Sequence, residues 1–443
     1  MPKLQFAPEW QSAGTGPAEY RDTSAFLTVR VGDTVVTRNE DIWSKTIRDS
    51  VLVSTYPLAL WLAASWWRLN WEPLPKQGTR PDADWRMAHE MGAANQGYVW
   101  PHVVFASDNE MMQVWAAAPE PTHEQSVRYL ASCSAAMPLD EFRAGVDGFI
   151  DVVVRRLAAV GRGGSDLAQL WDLVQADRQD KDAARYRRIE AALGFDPDES
   201  PDALMRQALS FDHEMGGASL SELAPLYGKF SGEQSLSALD EMRDRPGLVG
   251  TPDLPKIKVS RPKSASEPPW MRAVSAARAL RKELGVSGGR VPSETLRDLL
   301  GLKESEGVEV DTKGRSGLGI PQAGGQIKFI PRKRHPVGRR FELSRFIADL
   351  VQVQGASQWL ASTDLSTSRQ KFQRAFAAEF LCPIGELSEF LNGDYTESAI
   401  EDAAAHFDVS ERTVESLLAN NGVIPSAWMS DYLEIRPPYQ LGV

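Results

Sequence analysis

Histidine and cysteine are scarce in this chain, and their placement excludes more than their number does. The 443 residues hold six histidines, at 89, 102, 123, 213, 335 and 406. No two lie four apart. The chain therefore lacks a His-Glu-x-x-His helix face, which would aim two imidazoles at one zinc beside a water-polarising glutamate. Two segments come halfway: "RMAHEMGAAN" (86–95) and "SFDHEMGGAS" (210–219) both contain His-Glu-Met-Gly. Their i+4 positions are Ala93 and Gly217, and neither can ligate a metal. Each reads as a helix segment with a capped or partly buried histidine. The two cysteines, Cys133 and Cys382, form no Cys-x-x-Cys pattern and fit a reducing compartment. A basic excess is also missing. The formal net charge is −11, which argues against a molecule built as a whole to wrap nucleic acid. The longest apolar run, "VLVSTYPLALWLAASWW" (51–67), is split by Pro57 and followed by "RLNWEPLP", so it reads as a buried helix starting near Pro57 and not as a membrane span. The first residues, "MPKLQFAPEW", lack the basic-then-apolar pattern of a secretion signal. A cytoplasmic protein that does not engage the membrane is the expectation.

What is present is enough chain for two or three domains of ordinary soluble composition, 42% hydrophobic and 25% charged. Residues 1–137 hold nine of the 13 tryptophans, at 10, 43, 61, 66, 67, 71, 85, 100 and 115. "FLTVRVGDTVVTR" (26–38) reads as a hairpin, 57–71 and 82–95 as helices, and 102–118 as strand, turn, strand. This is an α+β unit whose tryptophans are expected in its core, because they lack the interleaved Lys and Arg of a base-stacking surface. Residues 138–250 read as a helical domain. Residues 251–270, "TPDLPKIKVSRPKSASEPPW", read as a Pro/Ser/Lys-rich linker. The last region, 271–443, is mostly helical with a small sheet. The fold class expected is multidomain α+β.

The last region carries a family resemblance. "ARALRKELGVSGGRVPSETLRDLLGL", then "RRFELSRFIADLV", then "FAAEFLCP" (376–383) and "AAAHFDVSERTVESLLANNGVI" (403–424) occur in the order found in the ImmA/IrrE family of zinc-dependent peptidases. The resemblance covers about 170 residues. It implies a zincin-like fold and relatives that act in mobile-element and stress-response circuits. Carried over residue by residue, however, the family's first His falls on Arg345, its general-base Glu on Phe346 and its second His on Asp349. Its acidic third ligand falls near Gln370 to Arg374, where "QKFQR" offers no carboxylate. Arg345 repels a dication and Phe346 cannot polarise water. Arg345 and Asp349 are instead expected to form a helix i, i+4 ion pair. The resemblance thus implies the fold of the family with its chemistry lost: a vestigial pocket at Arg345, Phe346 and Asp349, no catalytic residue, no metal and no cofactor.

Two features remain. Basic islands occur at 256–283 and 328–345, and within the second, Lys333, Arg334, Arg339 and Arg340 are candidates for contact with a polyanion or a protein partner. The tail, "AIEDAAAHFDVSERTVESLLANNGVI", has helix-turn-helix layout, but it carries five acids (401, 402, 408, 411 and 415) against Arg412 alone. Phosphate would repel such a helix, so it reads as a packing element. The expectation is a bacterial-type pseudopeptidase that senses, regulates or scaffolds through a macromolecular partner, in a phage-defence, mobile-element or stress-response system. Two alternatives stand beside it: a zinc endopeptidase with a relocated site that cleaves a repressor-type protein, and a nucleic-acid-binding component that uses the basic islands.

Overall fold

The computed structural model describes residues 2–12, 16–75, 81–119, 127–229, 235–255, 257, 269–286, 288–303, 314–353 and 358–425. Most of the expected linker at 251–270, and with it Lys256, Lys258, Arg261 and Lys263 of the first basic island, lies outside these residues, as does His123. The protein is multidomain α+β, with several small antiparallel sheets among its helices. Its contacts divide it into two compact units, 1–205 and 206–432. The helices read from 138–250 fall to both.

The first unit begins with β1 (Leu4–Trp10), α1 (Ala18–Asp22), β2 (Ser24–Val31), β3 (Thr34–Val35), β4 (Asn39–Asp41), β5 (Thr46–Arg48) and β6 (Val51–Ser54). It continues with α2 (Tyr56–Ala64), α3 (Trp66–Trp71), α4 (Ala83–His89), β7 (Val103–Ser107), β8 (Met111–Ala116), β9 (Val127–Tyr129) and β10 (Cys133–Pro138). Helices α5 (Leu139–Ala159), α6 (Asp166–Gln179) and α7 (Lys181–Ala192) follow. Strand β2 pairs with β1, β3 and β6, and its alternate residues Leu27, Val29 and Val31 point into the core. There they share one hydrophobic cluster with Phe142, Val146, Phe149, Ile150, Val153 and Leu157, the 3–4-spaced stripe of α5. Each such side chain contributes roughly 1.5–3 kcal/mol on burial. The helix can sit this close because Gly145 has no Cβ: one placed there would lie 2.4 Å from the Leu4 carbonyl oxygen. The apolar run 51–67 is β6 followed by α2, which is apolar on nearly every side and buried within this core. Trp61, Trp66, Trp67, Trp85 and Trp100 are buried as expected, whereas Trp43 stands in solvent.

One helix is shorter than its pattern suggests. The helix read over 82–95 ends at His89, Glu90 is extended and bridges Val104, and a 3-10 turn follows at Met91–Ala94. The strand-like Glu90 interrupts the helix because it takes a place beside β7.

The second unit holds most of α8 (Asp202–Met215), then α9 (Gly217–Tyr227), α10 (Ser237–Asp244), β11 (Leu248–Gly250), α11 (Pro269–Glu283), α12 (Ser293–Leu300), β12 (Gly317–Pro321) and β13 (Ile327–Ile330). After these come α13 (Pro336–Val353), β14 (Leu360–Ser362), α14 (Ser368–Leu381), α15 (Ile384–Leu391), α16 (Glu397–Phe407) and α17 (Glu411–Asn420). Its sheet is antiparallel, in the order β11-β13-β12-β14. Phe346 of α13 meets Phe329 of β13, and Phe372, Phe376 and Phe380 run down the buried face of α14. No described helix is long and apolar enough to cross a membrane.

Candidate functional site

The vestigial pocket read from the sequence lies where α13 and α14 meet beside the edge strand β14, and it is filled. On α13, Glu342, Arg345 and Asp349 are spaced three and four residues apart and so share one face. All three are buried. Asp349 accepts two hydrogen bonds from Arg369 of α14, Nε to Oδ1 and Nη2 to Oδ2, both 2.7 Å, and a third from the Ala361 N–H at 3.2 Å. Arg345 donates to the Thr363 carbonyl at 2.7 Å and to Gln370 Oε1. The same Gln370 oxygen accepts from the Thr363 N–H (2.8 Å), and its amide, like that of Gln373, donates to the Ala361 carbonyl at 2.9 Å. The side chains of α13 and α14 therefore satisfy the backbone of alternate residues, Ala361 and Thr363, along the edge strand and its continuation. They stand where a further strand would pair.

The ion pair expected between Arg345 and Asp349 does not form. Arg369 reaches Asp349 across the helix interface as a planar two-point fork, which outcompetes a neighbour on the same helix. Arg345 turns to neutral acceptors. Its Nε and Gln373 Oε1 are buried without a hydrogen-bond partner among the described residues. Burial, reinforced by the nearby Arg374 and Arg332, pushes the Arg345 guanidinium down to about 9. Phe346, on the position of the family's general base, is fully buried in the core.

Besides Arg369, further members of the seam were not anticipated. Glu222 of α9 is buried and accepts from Thr367 Oγ1 at 2.6 Å, and burial raises its pKa. Arg332 bridges Glu342 (3.1 Å) and Asp364 (2.8 and 2.6 Å). Burial works against the Asp364 charge, but Arg332 outweighs it and draws that carboxyl down to about 2. Glu222 had one legible signal, an acid set among the apolar residues of "SLSELAPLY". Arg332 sat in a basic run and looked like surface.

The seam thus holds the guanidiniums of Arg332, Arg345, Arg369 and Arg374 against the carboxylates of Glu222, Glu342, Asp349 and Asp364, a balanced set. As a zinc site the donor set does not fit. It offers no imidazole, its one carboxylate at a ligand position is held by Arg369, and a guanidinium stands at another. No group of three or more His, Cys, Asp or Glu able to hold a metal occurs among the described residues.

The two His-Glu-Met-Gly segments differ in environment. In the first unit His89 is buried, stacked on Trp85 with ring centroids 4.0 Å apart. Its Nδ1 donates to the Phe105 carbonyl at 2.9 Å, and its Nε2 lies 3.1 Å from Glu72 Oε2. Glu72 also holds the buried Arg68 (2.7 and 3.2 Å), which reaches Asp84 at 2.8 Å and Asp196 at 3.3 Å. Burial opposes the Arg68 charge, but Glu72, Asp196 and Asp84 together raise its pKa. Glu90 is clamped by Arg86 at 2.8 and 3.2 Å. In the second unit His213 is exposed at the end of α8, and Glu214 pairs with Arg243 at 3.2 Å. Gly216 (φ 81°) then turns the chain into α9. Glu214 and Arg243 line an open cleft of about 550 Å³ with Gln322, Lys328 and Trp359.

The second basic island divides. Lys328 donates to the carbonyls of Arg243 and Arg245, and Arg332 and Arg345 belong to the seam. Arg340 is buried against the Val291 carbonyl, Ser293 and Asp408. Lys333 and Arg334 are exposed, with Arg339 half-buried beside them. In the first island, Arg281 is held by the Phe380 carbonyl and Glu386, and Arg278 by Glu379.

Comparison of the chain with protein-family models, with curated proteins and with solved structures finds no match in any of the three.

Proposed function

We propose that the chain is a non-catalytic, cytoplasmic regulatory or scaffold protein that acts through a macromolecular partner, foremost another protein. Its last region is read as a pseudopeptidase. The observation that carries this reading is the seam: the two positions onto which the ImmA/IrrE histidines map hold side chains bonded to internal partners, Arg345 to Thr363 and Gln370, and Asp349 to Arg369. The resemblance to that family favours a setting in phage defence, mobile-element control or stress response.

Nucleic acid is the weaker reading of the basic island. With Lys333, Arg334 and Arg339 outward, about three phosphates could be neutralised, so raising salt from 50 to 200 mM would weaken binding by no more than about 40-fold. A relocated peptidase site is weaker still, since Glu90 is clamped by Arg86 and Glu214 is paired with Arg243.

The test is peptide cleavage by the full-length protein against a fluorogenic peptide library, with and without added Zn²⁺ and beside the Asp349→Asn variant. The proposal requires no turnover above buffer in any arm. Zinc-dependent turnover lost in Asp349→Asn would refute it.

A further inference from the structure

The His89 ring in the first unit stands in a hydrogen-bond pattern that a neutral imidazole cannot complete. A neutral ring has one N–H donor and one bare nitrogen that accepts. Both nitrogens of His89 face oxygens that accept. Nδ1 lies 2.9 Å from the Phe105 carbonyl and Nε2 lies 3.1 Å from Glu72 Oε2. His89 and Glu72 are both buried, so bulk solvent does not reach the contact. The pattern closes only with one more proton, placed between Nε2 and Oε2.

The surroundings decide which side holds it. Glu72 accepts from Arg68 at both oxygens, Nε to Oε2 at 2.7 Å and Nη2 to Oε1 at 3.2 Å, which favours the carboxylate. Arg68 also meets Asp84 at 2.8 Å and Asp196 at 3.3 Å, so three carboxylates surround one guanidinium and a second cation brings the group nearer balance. Trp85 lies flat on the imidazole, with centroids 4.0 Å and planes 5° apart, and an indole face favours a cation. His89 is the last residue of α4, where the closing carbonyls act in the same sense. Of the other charged groups on the packed elements, Arg86 and Glu90 hold each other, and Asp108 accepts from the N–H groups of Glu110 and Met111. His102 stands before β7, within reach of the Glu90 charge, and β7 itself carries no titratable side chain.

We propose that His89 is a proton-controlled tie: as the imidazolium it joins the end of α4 to Glu72 of α3 while holding the Phe105 carbonyl of β7, and loss of the Nε2 proton breaks the contact with α3 and loosens the end of α4. A bare Nε2 would face a carboxylate in the interior, and such an unpaired buried contact is costly. The tie is whole on the acid side and is lost as pH rises through the titration of the folded ring, the sign of a cation that gains an anionic partner on folding. It belongs to the first unit and does not rest on the partner reading.

The experiment uses the full-length protein with nitrogen-15 in its histidine rings, studied by NMR from about pH 5 to about pH 9, a range that brackets the ordinary imidazole. The His89 signals are assigned by their contacts with the Trp85 ring and checked in His89→Gln. Both ring nitrogens are expected to carry protons at the acid end, and Nε2 alone is expected to be bare at the alkaline end. Over the same range the Glu90 N–H, bonded to the Arg86 carbonyl at 2.8 Å, is expected to exchange with solvent at least about 10-fold faster once the intrinsic pH dependence is removed. His89→Gln is expected to abolish that step. A ring with Nε2 bare at the acid end puts the proton on Glu72 and overturns the proposal. A ring that keeps both protons at the alkaline end, or one that titrates without a change in Glu90 exchange, overturns the tie as a switch. The wild type carries both readouts, so the test stands even if His89→Gln fails to fold.

Discussion

Two buried arginine networks, one in each unit, solve the same problem in opposite ways. At Arg68 a single guanidinium is surrounded by Glu72, Asp84 and Asp196, with His89 on the far side of Glu72, so the cation is over-matched and its charge is reinforced. In the α13–α14 seam, guanidiniums and carboxylates are equal in number, but one cation, Arg345, bonds only to neutral oxygens, and one acid, Glu222, bonds to a hydroxyl and an amide, with the charge of Arg369, itself held by Asp349, too little to offset its burial. There both groups are pushed toward their neutral forms. The lesson is that burial of a charge does not by itself mark a catalytic site; the partners decide. An arginine locked by three acids is a structural tie, and a balanced seam that caps a strand edge is a plug.

The comparison can be broken most directly at Arg68. Arg68→Met strands Glu72 in the interior and is expected to cost about 3–5 kcal/mol, read from denaturant midpoints of the full chain. Arg369→Met leaves Asp349 unpaired and is expected to cost nearly as much, whereas pairing it with Asp349→Leu should recover most of the loss. If the double variant is as unstable as the single, Asp349 is not the reason. Arg345→Met should cost less, about 1–3 kcal/mol, because it frees only neutral acceptors. An effect as large as that of Arg369→Met would mean that Arg345 has an anionic partner in solution.

Glu222→Gln sharpens the contrast through pH. Its folded pKa is raised by burial, so the wild-type contribution is fully present below the unfolded carboxyl value and is lost as pH rises through the folded one. The variant should therefore match the wild type near pH 4 and gain on it toward neutrality. Asp364 has the opposite sign. Lowered to about 2, it adds stability that is lost as pH falls from about 4 toward that value. Equal slopes for wild type and Glu222→Gln would show that this carboxylate is not desolvated.

The sequence conveyed the multidomain α+β class, the β2–β3 hairpin, the β7–β8 pair, the helical character of 138–250 and of the last region, and the α16–α17 pair, because each rests on local periodicity and stop signals. It did not convey the end of α4 at His89, since the strand pairing of Glu90 with Val104 is not local. The same limit applied to the seam. Arg345, Phe346 and Asp349 were reached through the family resemblance, which is local to one segment, but Arg369 as the partner of Asp349, and Glu222 from more than a hundred residues upstream, depend on helices meeting in space. The basic island at 328–345 misled for a related reason. Composition counts cations without their direction, and Lys328, Arg332, Arg340 and Arg345 point inward.

We propose that the seam stands where the resembled family would hold its metal. The most direct test is the zinc content, by elemental analysis, of the full-length protein purified without chelators from zinc-supplemented medium, beside the Asp349→Asn and Glu222→Gln variants. No stoichiometric zinc is expected in any of the three. Stoichiometric zinc in the wild type that disappears in Asp349→Asn would contradict the proposal.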